Sequence, residues 1–196
     1  MWGIPSRIEE TFTEDDDGEA DSNDLDPPTS TPQGTSMFEK MEDVELVLRF
    51  FAYRHIQQSN AGLNRISSFL DEFLHTGNRY KKSTLASYEK LFVRTIGFLF
   101  ESLDTDAFSV ITEDRKSRPT KIVYDPIMLI ASAPDVTRAM PRIIKRKDVL
   151  RHALIGMYTE AQKSDNLFSG RRTNNADIQG RNKLMRATFN DVLKQI

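Results

Sequence analysis

Glu45 and Arg49 stand four residues apart in the run Glu42 to Ala52, EDVELVLRFFA. An acid one helical turn before a base forms an ion pair on a helix. Apolar residues surround this pair, so its chemistry is structural, a partly buried ion pair of the kind that fixes packing. Other candidate groups do not converge. His55, His75 and His152 fall on separate segments, and no two share the i,i+4 spacing that presents both rings to one metal ion. Asp71 and Glu72 are neighbours, and adjacent helix positions do not face each other, which makes both solvated acids. Ser169-Gly170-Arg171-Arg172-Thr173 offers amides and guanidinium groups suited to phosphate. A turn between two helices explains the same letters and is the favoured reading. Neither a phosphate-cradling glycine loop nor a G-x-S-x-G elbow occurs. The sequence therefore assigns no catalytic residue, metal site or cofactor.

Positive charge is the stronger functional signal. From Arg138 onward there are thirteen bases against five acids, a local net of +8. Clustered charge of this kind attracts polyphosphate through counterion release, without reading sequence. Arg142, Lys145, Arg146, Lys147, Arg151, Arg171 and Arg172 are the candidate DNA contacts, densest over Arg142 to Lys147. A solvated helix surface is the competing reading, and no helix-turn-helix or zinc-finger signature accompanies the bases.

The elements that must carry these groups read as helical. In the first helix Val44, Val47, Leu48 and Phe51 form one face, widened by Leu46, Phe50 and Tyr53. So wide an apolar surface predicts a core helix. Leu63, Ile66, Phe69, Leu70, Phe73 and Leu74 mark a second helix, stopped by a left-handed Gly77. Leu85, Tyr88, Leu91, Phe92, Ile96, Leu99 and Leu103 mark a third, capped by Ser83 or Thr84. Ala107 to Thr112 reads as a short strand and Glu113 to Pro119 as a charged turn. Asp125-Pro126 has the cap-then-proline order that opens a helix, continuing through Ile130 until Pro134. Asp148 then caps a helix lined by Val149, Leu150, Ala153, Leu154, Met157, Tyr158 and Ala161. A last helix spans about Ile178 to Leu193. Val44, Leu48, Phe51, Leu70, Phe73, Phe92, Ile96 and Leu154 are the expected core.

Size and composition bound the rest. A chain of 196 residues suits one domain plus a tail, and the absence of cysteine excludes disulfides and thiolate zinc sites. No apolar run reaches the roughly 20 residues of a membrane span, and the start lacks the pattern of a secretory signal. The expected location is cytoplasmic, with no membrane partner. Residues 1–36 hold ten acids and one base, net −9, and the remainder 19 acids and 26 bases, net +7. Three regions follow: an N-terminal segment over 1–13 that docks on the body through Trp2, Ile4, Ile8 and Phe12, an acidic disordered loop over 14–36, and a helical domain over 37–196. The expected fold is mainly α, an irregular multi-helix domain preceded by the acidic loop or tail.

Lys40 to Ala52 resembles the helix that opens the C-terminal helical portion of the GmrSD-type restriction proteins, where it follows a ParB-like N-terminal domain. Phe69-Leu70-Asp71-Glu72-Phe73-Leu74 resembles that family's next helix, and Phe168-Ser169-Gly170-Arg171-Arg172-Thr173 a turn near its end. The likeness spans roughly residues 37–196 and rests on the order of the three segments. The family's DGQQR motif is absent, as is its HNH-type nuclease partner domain. The resemblance implies a non-catalytic helical module of a phage-defence system, contacting DNA or a companion protein that carries the missing N-terminal domain. It also suggests that Met1 is an internal start in a longer ancestral frame. The alternative is a structural or protein-interaction module, or a truncated remnant without activity of its own.

Overall fold

The computed structural model describes residues 42–59, 66–164, 166–170 and 174–196, and the readings for residues 1–13 and 14–36 lie outside the described residues. The fold is mainly α. Seven α-helices are formed by the described residues: α1 (Glu42–Ser59), α2 (Ile66–Gly77), α3 (Lys82–Leu103), α4 (Lys121–Ala131), α5 (Pro134–Lys145), α6 (Lys147–Lys163) and α7 (Asn175–Gln195).

The hub of this arrangement is α4, which packs against α1, α3, α5 and α7. Its sequence, KIVYDPIMLIA, explains the position, because a helix apolar round its circumference must be covered on every side. Val123, Tyr124 and Ile127 through Ala131 are all buried. The sequence predicts a core helix at α1, and the structure buries its middle but not the face expected. Val44, Val47 and Leu48 of α1 are only half-buried, whereas Arg49, Phe50, Phe51, Ala52 and Tyr53 are buried as a continuous block. Five consecutive residues turn through more than a full circle at about 3.6 residues per turn. That is possible here because α2, α3 and α4 cover the middle of α1 from different sides. An aromatic cluster fills the junction, with Phe51 stacked on Tyr88 at 4.9 Å and Phe50 edge-on to Phe92 at 5.5 Å. Of the expected core, Phe51, Leu70, Phe73 and Leu154 are buried, while Val44, Leu48, Phe92 and Ile96 remain half-buried.

Helix boundaries differ from expectation where capping chemistry was misread. Thr120, not Asp125, caps α4, its hydroxyl accepting from the Val123 amide at 3.4 Å. Asp125 and Pro126 therefore lie inside the helix. Lys81 occupies the α3 cap position without a side-chain bond, so neither Ser83 nor Thr84 caps it. Asp148 sits in the first turn of α6, one residue past its start, where an acid still meets the positive end of the helix. Pro134, read as a stop, instead opens α5 at its first turn, with Asp135 beside it. Gly77 ends α2, yet the one positive-φ glycine among the described residues is Gly170. Between α3 and α4 the expected strand is reduced to a single antiparallel bridge, Ile111 with Lys116. The last helix begins where Asn174 accepts from the Asp177 amide at 2.8 Å. It packs Met185, Phe189 and Val192 into the core against α4 and α6.

Four buried hydroxyls are left without a partner among the described residues, those of Ser102, Ser109, Thr137 and Tyr158; Tyr158 of α6 is 1% exposed and edge-on to Phe168 at 5.0 Å. Replacing it by Phe keeps the ring contact and removes the desolvated oxygen. Tyr158→Phe should raise stability by about 1 kcal/mol, read as a higher denaturant midpoint with an unchanged slope. A lowered midpoint would mean that the hydroxyl is satisfied.

Candidate functional site

Charge is organised in three places, and the first is the α1–α4 contact. Glu45, Arg49 and Tyr53 recur every four residues on α1, which aligns them along one stripe. Lys121, Tyr124 and Asp125 meet them from α4. Arg49 Nε donates to Asp125 Oδ1 at 3.0 Å, and its Nη2 bonds Oδ2 of the same carboxylate, giving a two-pronged pair. The same guanidinium donates to Glu45 Oε1 at 3.3 Å and to the Tyr53 hydroxyl at 3.4 Å. Lys121 Nζ reaches Glu45 Oε2 at 2.8 Å, and the Tyr124 hydroxyl donates to the Leu46 carbonyl at 2.9 Å. The side chains of Arg49 and Asp125 are 9% and 10% exposed, whereas Glu45 is 37% exposed.

The predicted Glu45–Arg49 pair is thus formed, but it is the outer limb of a network whose buried centre is Asp125. Burial raises the Asp125 pKa and the Arg49 guanidinium opposes that rise, with burial prevailing. For Arg49, burial disfavours the charge, yet the carboxylate beside it outweighs burial and raises its pKa. Glu45 is pushed up by burial and pulled further down by Lys121 and Arg49, leaving it below its ordinary 4.5. Sequence reasoning missed Asp125 as a partner because 76 residues separate it from Arg49. A signal was present, since Asp125 is the lone acid within an apolar run, and a lone buried acid needs a partner.

The second place is the junction of α5 and α6, where four of the predicted DNA contacts come together. Arg142, Lys145, Arg146 and Lys147 are all exposed. Arg138, also exposed, stands one turn before Arg142 on the same face of α5. Arg142 Nη1 donates to the Ile196 carbonyl at 3.4 Å, and Arg146 Nε lies 3.9 Å from Asp148. No acid pairs with Arg138, Lys145 or Lys147 among the described residues. Arg151 differs, since it is bonded to Asp106, a carboxylate shared with Lys116. The charges of Lys116 and Arg151 overcome burial and hold Asp106 below its ordinary range. Arg171 and Arg172 lie outside the described residues, so the phosphate reading of that turn is carried only by Ser169 and the left-handed Gly170.

The third place is an open groove of about 660 Å³ between α1, α4, the start of α5 and α7, lined on its polar side by Arg54, Asn182, Lys183 and Arg186. Nothing in the sequence marked it, because its residues come from four separate segments.

The remaining candidates do not converge. His55, His75 and His152 are exposed on α1, α2 and α6, and no group able to hold a metal ion occurs among the described residues. Asp71 and Glu72 are exposed on α2. No helix among the described residues is long and apolar enough to cross a membrane. No family model, curated protein or solved structure matches the chain.

The geometry moves the expected coupling from Glu45 to Asp125. Arg49→Ala and Asp125→Ala should each cost about 3–5 kcal/mol, since each strands a buried charge, and the double variant should cost much less than their sum. Glu45→Ala should cost no more than about 1 kcal/mol, as for other exposed pairs. Chemical denaturation of the four proteins measures these terms, and additive Arg49 and Asp125 effects would exclude a linked pair.

Proposed function

We propose that this chain is a non-catalytic helical module that holds duplex DNA by its phosphates, using the exposed face of α5 and the α5–α6 junction. One observation carries the reading: Arg138, Arg142, Lys145, Arg146 and Lys147 form an exposed cationic track in which, among the described residues, only Arg146 approaches an acid side chain, at 3.9 Å. Arg138, Arg142 and Lys145 advance by four and three residues and so share one helix face. Such a track neutralises phosphates and releases counterions without contacting base edges. The resemblance to GmrSD-type proteins supplies the setting: a cytoplasmic phage-defence system in which a companion chain contributes the nucleotide-handling domain. The acids and bases that converge at Arg49 and Asp125 are bonded to one another within the α1–α4 contact, which fits a structural part for them and a contacting role for the exposed track.

Fluorescence anisotropy with a labelled duplex tests this. Binding should be weak and indifferent to sequence, and its logarithm should fall with log salt at a slope near −4 if four to five phosphates are engaged. Reversing Arg142, Lys145, Arg146 and Lys147 to glutamate should abolish that slope. Deleting residues 14–36, which carry eight of the ten acids of the first 36 residues, should tighten binding if that stretch competes for the track. No binding at low salt by either protein would leave a plain helical interaction module as the function.

A further inference from the structure

The groove beside α5 carries a charge that the DNA reading does not use. Arg54 of α1 is half-buried at its edge. Its Nη1 donates to the Ser132 carbonyl at 3.1 Å and to the Ser132 hydroxyl at 2.5 Å, and its guanidinium lies 5.9 Å from the Phe50 ring centre. No acid pairs with it among the described residues. Burial accordingly lowers its pKa, with no carboxylate among the described residues to oppose the shift. It nevertheless stays charged, because guanidinium does not lose its proton in proteins. A half-buried cation held only by neutral oxygens has donor capacity left over, since guanidinium carries five N–H groups.

Across the groove, α7 contributes Asn182, Lys183 and Arg186. Asn182 is 8% exposed, lines the groove, and makes no side-chain hydrogen bond to another described residue. Its amide meets the water of the groove, where a bound polar group can take that water's place. Lys183 is exposed and carries no ion pair among the described residues. Arg186 is already committed to Asp135 through Nη1–Oδ1 at 3.2 Å and Nη2–Oδ2 at 3.0 Å. Three cations and one acid leave a net of two positive charges. The other walls, including Leu129, Ile130 and Pro134, are apolar. An open groove of this size, with an apolar wall facing several polar groups, has room for a small molecule laid against that wall.

We propose that this groove binds a small organic phosphate monoester. Its dianionic head lies between Arg54 and Lys183 and accepts from the Asn182 amide, and its apolar or planar body rests on Leu129, Ile130 and Pro134. The dianion matches the groove's charge, and forked guanidinium donors suit phosphate oxygens. The site is separate from the exposed track of α5, so either can fail without the other.

Chemical-shift titration of the full-length protein tests the proposal, with adenosine monophosphate, adenosine and inorganic phosphate as probes and a 5′-phosphorylated oligonucleotide as a further arm. The monophosphate should saturate the groove amides of α7 at millimolar concentration or below. Adenosine and inorganic phosphate should each bind at least about tenfold more weakly, one lacking the charge-assisted bonds and the other the apolar contact. Arg54→Gln and Lys183→Gln should each weaken the monophosphate by about tenfold or more. Lys183 is exposed, so that variant keeps its fold even if Arg54→Gln does not. The quadruple reversal on α5 and α6 should abolish the DNA salt slope and leave monophosphate binding unchanged. If the oligonucleotide binds the groove more tightly than the monophosphate, a nucleic-acid end rather than a free metabolite is the ligand and the proposal is overturned. It is also overturned if adenosine binds as well as its phosphate, if Lys183→Gln binds as tightly as the unaltered protein, or if no probe shifts the groove amides.

Discussion

The pairing of Arg49 with Asp125 is the constraint on which the arrangement of helices depends. Two charges withdrawn from water cost several kcal/mol each, and only close, multiply bonded geometry offsets that cost. Both carboxylate oxygens of Asp125 engage Arg49, and the Tyr53 hydroxyl and Glu45 use further guanidinium donors. No neighbouring register of α1 on α4 would satisfy these groups. A slide of one turn along α1 would set Glu45 or Tyr53 opposite Asp125 and leave the arginine stranded. The pair therefore selects one packing of the two helices, while the apolar contacts of Phe50, Phe51, Val123 and Ile127 provide the attraction.

The rest of the fold follows from that fixed contact. Because α4 is covered by α1, α3, α5 and α7, the helices around it occupy defined places. Packing of α1 then positions α2, whose contacts with other helices are with α1, and the aromatic cluster of Phe73, Tyr80, Tyr88 and Phe51 seals the junction. The same contact places Arg54, five residues beyond Arg49, against the end of α4 at Ser132. Thus an internal ion pair determines where a second arginine emerges, one with no acid partner among the described residues. On the far side, α5 turns Val136, Ala139, Met140 and Ile143 inward, which leaves Arg138, Arg142 and Lys145 no place but the surface.

Much of this was legible in the residues. Helical periodicity located α1, α3, α6 and α7, because each repeats apolar residues at three- and four-residue steps over at least four turns. It failed at α5, where Pro134 reads as a stop, although proline is favoured in the first turn of a helix. It misplaced the start of α4 because Asp125-Pro126 imitates a capping signal, while the actual cap, Thr120, directly follows the charged turn over Glu113 to Pro119. The Glu45–Arg49 spacing announced an ion pair, and local spacing had no means of showing that the stronger partner lies 76 residues away. The basic run over Arg142 to Lys147 was visible as charge, but the commitment of Arg151 to Asp106 was not. The groove, assembled from four segments, left no local trace at all.

Native-state amide hydrogen exchange on the unaltered protein and on Arg49→Met tests the central claim most directly, because it reads the stability of each helix separately. If the Arg49–Asp125 pair fixes α1 on α4, the variant should lose protection first in α1 and in α2, which packs on it, while the α6–α7 contact keeps protection closer to its original level. Unchanged protection in α1, or a loss spread evenly over all the helices, would contradict the account.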